Sequence, residues 1–394
     1  MTRHKKEPLP TNPHILRWAR THAGFSEEEA AGHMKVPRTK LVEWETPNEE
    51  GRPTVRQARK LADYYGRSFL EFFLPVPPPV VEPELIPDFR LYPRAPDPSE
   101  QRALKDIQLW GEAQRTNALD LYEELGENPR PSEIVFSLKD DPEKASAYAR
   151  EAISLTLEEQ LDLKQQQREQ FPALLRGKIE QLDILTFKVS ALKRYGVRGF
   201  CIAEQKLPII MFGKESPNAQ AFTLCHELAH VLIRQSAISG PIPQRGGDSK
   251  KREVEEWCDS FAAAFLMPTS TVQACAANFA FPDKTASDET LLAMSEYFAV
   301  SRHAMCIRLM HLGFVSENFY WEVKKPQFDE EEARYRSFGR PKYYGRRFIG
   351  SQGDLYTSLV VDALNAGRIT NHNAAEFMGT TLTHIGDILG NFRK

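Results

Sequence analysis

The stretch Phe222-Thr223-Leu224-Cys225-His226-Glu227-Leu228-Ala229-His230 decides how the rest of this 394-residue chain is read. Residues four apart share one face of a helix, so His226 and His230 can present two imidazole nitrogens to one ion while Glu227 projects beside them toward water. Leu224, Leu228, Val231 and Leu232 give the same helix an apolar face. Zinc suits such a pair: it acidifies water and polarises a carbonyl, and a neighbouring carboxylate can move the proton. The spacing therefore points to hydrolysis at a metal, with Glu227 as the base.

A catalytic zinc site needs a third protein ligand. The segment Glu253-Val254-Glu255-Glu256-Trp257-Cys258-Asp259-Ser260-Phe261, continuing to Pro268, reads as a second helix. Glu255 and Asp259 are four apart and share a face, and Ala262 and Ala263 continue close to it, which lets two helices approach. Glu255 is thus the expected ligand. Asp259 is expected to orient a ligating histidine through its other ring nitrogen. Glu253 and Glu256 are the rival acids; Glu256 lies about 100° around the helix from Glu255, away from the face that Asp259 shares.

Outward from these helices, the composition bounds the chain. Its length divides into two or three domains, and the 41% apolar and 27% charged fractions fit a globular protein. A net charge of -3 carries no bias toward polyanions, so any nucleic-acid surface must be local. No apolar run is long enough to span a bilayer, and the first residues do not read as a signal peptide; the expectation is a cytoplasmic protein with no membrane partner. Five cysteines form an odd set without close pairs, which fits reduced thiols, with Cys225 and Cys258 as small apolar fillers beside the site.

Along the chain, residues 12 to 74 have helical periodicity, with Ser26 to Glu29 as a capping box and a further helix start at Pro53-Thr54. Nine prolines fall between Pro75 and Pro98, which excludes helix and makes an extended spacer. Polar helices follow to about Leu182, broken at Asn128-Pro129-Arg130-Pro131. Short β-prone runs at Ile184–Val189, Gly199–Ala203 and Pro208–Phe212 predict a small sheet ahead of the His226 helix. Further helices are expected at about 252–267, 288–297, 301–312 and 352–391, the last with Thr370 as a cap.

The residues Phe222 to His230, followed by a helix that ends in Leu266-Met267-Pro268, closely resemble the ImmA/IrrE-type zinc metallopeptidases. Pro208 to Phe212 takes part, and Pro87-Asp88-Phe89-Arg90 looks like the start of the peptidase region in members with a DNA-binding front domain. The resemblance spans much of residues 87 to 312 and is strongest at 208 to 268. It implies a gluzincin-type fold, one zinc per chain on His226, His230 and Glu255, and Glu227 as catalytic base. It also implies a substrate class: a partner transcriptional repressor, in stress, phage or mobile-element responses, with related proteins in toxin-antitoxin pairs. His303, Tyr297 and Tyr320 lie downstream, and none is assigned as an oxyanion donor.

Ser26 to Glu45 resembles the helix-turn-helix of lambda-repressor-like, Xre-type domains, with Leu41 and Trp44 buried. That resemblance places Arg38, Thr39 and Lys40 at the start of a helix that would enter a major groove. It departs from the family at three positions: Glu27, in an acidic triplet, replaces a phosphate-contacting Gln, Lys35 stands where Gly is favoured, and Pro37 replaces a hydroxyl cap. Thirteen Lys and Arg against ten Asp and Glu over residues 1 to 75 leave only a small positive excess, so a protein partner stays open beside double-stranded DNA. Near the C-terminus, Arg334, Arg336, Arg340, Lys342, Arg346 and Arg347 alternate with Tyr335, Phe338, Tyr343, Tyr344 and Phe348. This pattern suits either a solvated connector with docked aromatics or a nucleic-acid platform.

The expected protein is multidomain and mainly α with a small β-sheet. It comprises an all-α helix-turn-helix domain (1–75), a Pro-rich linker (76–99), an α+β zincin-like peptidase domain (100–312) and a C-terminal connector and helical module (313–394). Within the peptidase domain the sheet is expected at about 184–213 and the metal helices at about 219–234 and 252–267. Three functions fit: a zinc endopeptidase cutting a repressor or other protein partner, a toxin of a toxin-antitoxin pair, and a DNA-binding regulator whose peptidase fold is a sensor with little turnover. Oligomeric state stays open, a dimer included.

Overall fold

A computed structural model describes residues 9–47, 51–78, 86–89, 98–163, 170–240, 249–334 and 344–392. The chain divides into two compact units, Met1–Leu85 with Arg94–Leu109, and Ile86–Pro93 with Trp110–Lys394. Most of the expected Pro-rich linker lies outside the described residues, as do Arg90, Tyr335, Arg336, Phe338, Arg340, Lys342 and Tyr343.

In the first unit four helices, α1 (Pro13–His22), α2 (Glu27–Met34), α3 (Arg38–Trp44) and α4 (Val55–Tyr65), precede a 3-10 turn at Phe69–Phe73. Local chemistry sets their starts. Asn12 caps α1, Ser26 and Glu29 form a capping box at α2, and Thr54 and Gln57 form another at α4. Each box satisfies two backbone donors that a helix start leaves open, a contribution of about 1 kcal/mol. Ile15, Leu16, Leu41, Trp44, Leu61 and Phe72 close the core. A buried Arg20 spans it and meets both Glu45 carboxylate oxygens, at 2.7 and 2.8 Å. Lys35 ends α2 with φ +56°, a left-handed conformation that costs a side-chain-bearing residue about 1–2 kcal/mol. Pro37 starts α3 with no side-chain cap, and the helix forms nonetheless.

The second unit is helical around a four-stranded sheet. Its helices are the later part of α5 (Pro98–Leu125), α6 (Pro142–Ala152), α7 (Leu157–Leu161) and α8 (Phe171–Glu180). Strands β1 (Leu185–Lys188), β2 (Gly199–Ile202) and β3 (Ile209–Phe212) follow, then α9 (Pro217–Leu232), β4 (Ala237–Ser239) and α10 (Ser249–Leu266). After these come α11 (Thr269–Ala276), α12 (Asp288–Tyr297) and α13 (Arg302–His311). The chain then runs through α14 (Lys325–Arg334), α15 (Tyr344–Gln352), α16 (Asp354–Asn365), α17 (Asn371–Phe377) and α18 (Leu382–Phe392). Among the described residues no helix is long and apolar enough to cross a membrane.

The strand order is β1-β3-β2-β4, with β1 parallel to β3 and the other pairs antiparallel. Every residue of β2 and β3 is buried, which explains their unbroken apolar runs. The two faces differ in size. Phe187, Phe200, Ile202 and Met211 fall on one side, where Trp110 and Gly111 of α5 pack on Phe187 and Met211. On the other side, register pairs Gly199 with Ser239 and Cys201 with Ala237, all small, and this side receives α9. The three-residue β4 is a strand the sequence did not reveal.

The far end of α10 is fixed from distant parts of the chain. The buried Arg150 guanidinium donates to Phe265 O at 2.7 Å, Gln160 Nε2 donates to Leu266 O at 2.9 Å, and Arg308 Nε donates to Met267 O at 2.9 Å. Cations at a helix C-terminus satisfy carbonyls the helix cannot and favour its dipole.

Residues 344–392 belong to the same unit. Arg176 of α8 donates to the carbonyls of Gly350 and Ser351, and Glu180 accepts the N–H groups of Asp354 and Leu355 at the start of α16. Tyr344 stacks on His384 at 3.9 Å between ring centroids and Phe348 is buried, so these two rings serve packing. Arg334 pairs with Glu330.

Candidate metal centre

Helix α9 begins at Ser216, whose side chain accepts from Ala219 N, with Pro217 in the first turn. From Gln220 to Leu232 every residue is buried, because the sheet takes one flank of the helix and α10 another. His226 and His230 therefore sit in the interior, at 1% and 0% exposure. Their Nε2 atoms are 3.2 Å apart. Glu255 reaches across from α10, with Oε2 3.4 Å from His226 Nε2 and Oε1 3.1 Å from His230 Nε2.

These donors fit one small cation. A tetrahedral zinc with ligand bonds near 2.0–2.1 Å separates its ligand atoms by about 3.3–3.4 Å, close to the three distances here. The contact of two buried imidazole nitrogens, with a carboxylate against both, is what a shared cation would relieve. Two nitrogens and one oxygen match zinc rather than a hard, all-oxygen ion.

Asp259, one turn beyond Glu255, places Oδ1 2.8 Å from His226 Nδ1. That contact, close but not aligned as a hydrogen bond, sets the carboxylate against Nδ1 and leaves Nε2 facing Glu255 and His230. His230 has a different support. Its Nδ1 has no hydrogen-bond partner among the described residues, and the Phe89 ring packs on its ring with centroids 5.6 Å apart. Phe89 is held in turn by the N–H and C=O of Ile238 in β4, through Phe89 N and Pro87 O at 3.1 Å each, and by Lys251, which donates to Asp88 O at 2.7 Å. The rival acids face outward: Glu253 is exposed, and Glu256 is exposed and pairs with Arg252.

Glu227 projects toward the sheet and is fully buried. Neither carboxylate oxygen makes a well-aligned hydrogen bond; the Ser239 hydroxyl and Cys201 thiol face it from β4 and β2. Burial pushes its carboxyl pKa up, against the opposing pull of the two histidines. A carboxylate so placed takes a proton more readily than an exposed one. Burial opposes a charge on Glu255 too, but His226 and His230 outweigh it and hold the group at about 2. Burial likewise works against a charged His226, and the Glu255 and Asp259 carboxylates reverse the sign and raise it. Cys201, Cys225 and Cys258 are buried thiols whose pKa values burial raises, which makes them apolar fillers rather than thiolate ligands.

Residues 179–310 match the family model of the IrrE N-terminal-like domain, a peptidase family. The matched stretch covers about a third of the chain and holds the whole sheet and both helices of the centre. The match supports a metallopeptidase of the IrrE/ImmA kind, and a metallopeptidase implies a metal, usually zinc. No curated protein matches the chain.

A cleft of about 680 Å³ opens beside the first turns of α9. Ala219, Val197, Leu292, Val300 and Phe328 give it an apolar lining, and Arg198 and Arg302 stand at it in contact with Glu215 and Glu331. Ala219 precedes His226 by two turns, a rise of about 10 Å. His303 lines the cleft and meets the Tyr320 hydroxyl at 2.9 Å in a buried pair, while Tyr297 is exposed.

In the first unit the three expected groove-facing residues are exposed at the start of α3. Arg38 meets Glu27 at 2.7 Å and Glu28 at 3.0 Å, and Lys40 meets Glu43 at 2.6 Å. Sequence reading found the acidic triplet but not its pairing with Arg38. It quoted Phe89 within Pro87-Asp88-Phe89-Arg90 without giving it a role, and it missed Gly199, Ser239 and Lys251, none of which belongs to a metal-ligand pattern.

Proposed function

We propose that this protein is a zinc-dependent endopeptidase joined to an Xre-type helix-turn-helix domain, and that it cuts a transcriptional repressor or another protein partner in a stress, phage or mobile-element response. The observation that carries the reading is the convergence of His226, His230 and Glu255 on one point beside the buried Glu227, within the stretch that matches a peptidase family. His226, His230 and Glu255 would hold the metal. Zinc, when bound, supplies Lewis-acid polarisation of a carbonyl and acidifies water. Asp259 keeps His226 in the orientation that leaves Nε2 free. Glu227 takes a proton on its carboxylate and delivers it to the departing amine, a role that its burial and its raised pKa favour. The cleft at the first turns of α9, about two turns from His226, supplies room for substrate side chains on the same helix.

For the front domain, the groove-reading residues are Arg38, Thr39 and Lys40, with double-stranded DNA as partner. The pairing of Arg38 and Lys40 with carboxylates favours a second reading, in which this face docks a protein such as a repressor or antitoxin. A mobility shift that weakens with salt and is lost on changing Arg38 and Lys40 to Ala selects the first.

The test of the peptidase reading has two parts. Metal analysis of the purified chain should give one zinc, lost in His226→Ala and kept in Glu227→Gln. New N-termini in cells expressing the wild type, absent with Glu227→Gln, should then identify the substrate. A wild type without zinc ends the proposal.

A further inference from the structure

Strand β2 contributes nothing that resembles a catalytic group, yet its first residue lies under one. An ideal Cβ placed on Gly199 meets the Oε1, Cδ and Cγ atoms of Glu227 inside any permitted contact distance, and those are the three nearest atoms to it. Gly199 is not in the positive-φ region, so its backbone does not require glycine. What requires it is space. Gly199 pairs with Phe212 on one side and Ser239 on the other, so the backbone beneath the carboxylate is tied into the sheet by both neighbours and cannot retreat.

The surrounding pattern agrees. Within the β2–β4 pair the α9-facing residues Gly199, Cys201, Ala237 and Ser239 are small, whereas Phe200, Ile202 and Ile238, on the opposite side, are large, and Ile210 and Phe212 of β3 flank the small residues. Alternating small and large residues bring α9 close to the strand pair at the turn that carries Glu227. Glu227 is fully buried and its oxygens lack aligned hydrogen bonds among the described residues, so its packing against Gly199 is a direct constraint on where the carboxylate stands.

We propose that Gly199 is a positioning residue for the reaction: its absent side chain is the space that holds the Glu227 carboxylate beside the His226-His230-Glu255 centre. This rests on the peptidase reading above. A methyl group at this position leaves all three metal-facing residues and the carboxylate chemically intact and displaces the Glu227 side chain from Cγ outward. Displacement of a reacting group by about 1 Å costs on the order of a hundredfold in rate.

The test uses the full chain and labelled β-casein as a probe substrate. Gly199→Ala should bind one zinc, keep KM within about threefold and lose about a hundredfold in kcat. A general packing defect would instead lower zinc content, or shift KM and kcat together. A thermal double-mutant cycle on metal-free protein provides a second readout. Gly199→Ala should lower Tm by several degrees in the wild type and by less than about one degree in the Glu227→Ala background, where the methyl group occupies emptied space. An unchanged kcat with zinc bound, or an equal Tm loss in both backgrounds, overturns the assignment. Wild-type protein that binds no zinc and cuts no casein overturns the underlying peptidase reading instead.

Discussion

Arg38 on α3 and His226 on α9 each stand among carboxylates, but the first does so in water and the second away from it. The Arg38 side chain is 61% exposed, and its contacts with Glu27 and Glu28 form a surface network that solvent and salt screen strongly. A phosphate or another carboxylate can replace them at little cost. His226 is 1% exposed, and Glu255 and Asp259 approach it from α10 through nearly dry space. Charges held there cannot turn outward to water, so the arrangement is stable only with compensation from within. The buried group thus restricts its occupant to a small cation, whereas the surface group leaves its partner open.

The comparison is broken most directly at the buried end. His226→Ala should abolish zinc binding and with it hydrolysis, a loss of at least a thousandfold in activity, read by metal content and casein cleavage. Asp259→Asn keeps all three metal-facing groups but removes the charge behind His226. Zinc affinity should fall about 10- to 100-fold in a competition titration with a chelator, and no change would separate Asp259 from the centre. At the exposed end, Glu27→Gln leaves Arg38 with Glu28 as its one charged partner among the described residues and removes a negative charge. If this face binds DNA, affinity should rise several-fold at low salt and the gain should fade as salt increases; if it docks a protein, DNA binding should stay absent. Lys35→Gly should stabilise the first unit by about 1 kcal/mol, measured by urea unfolding, because glycine enters the left-handed region without strain.

The smallest effect is a pH signature at α2. Hydrogen bonds from the Ser26 backbone and hydroxyl hold the exposed Glu29 carboxyl below its ordinary value. A folded pKa below the unfolded one stabilises the fold above the unfolded value, and this is lost as pH falls through the folded one. The Tm difference between wild type and Glu29→Gln should therefore shrink below about pH 4.5, the ordinary glutamate range.

Legibility followed sequence distance. The capping box at Ser26, the helix start at Pro53-Thr54 and the four-residue spacing of His226 and His230 are local, and local rules read them. Glu255 and Asp259 were reachable because helical spacing places both on one face, and the outward-facing Glu253 and Glu256 could be set aside on the same ground. Gly199 was not reachable: a four-residue strand carries little pattern, and only the pairing of β2 with β4 shows which side of it faces α9. Arg150 and Gln160 were hidden for a related reason, since the carbonyls they satisfy lie more than a hundred residues further along the chain. The turn after α2 decides that Arg38 meets Glu27, and such a turn has no sequence period.

The contact of Glu180 with Asp354 and Leu355 has a consequence for the order in which the protein is made. These groups are 174 and 175 residues apart, and Glu180 is the acceptor for the first N–H groups of α16. On the ribosome, the sheet and both helices of the candidate centre emerge well before that partner exists, so α8 waits with the ion pair of Arg176 and Glu180, 3.3 Å apart, suited to an interior it does not yet have. At about 5–20 residues per second, 174 residues take roughly 9–35 seconds, far longer than helices and hairpins need to form. The helices from Tyr344 onward therefore act as a timed closure: the unit that carries the metal-facing residues becomes fully packed only once they have been made.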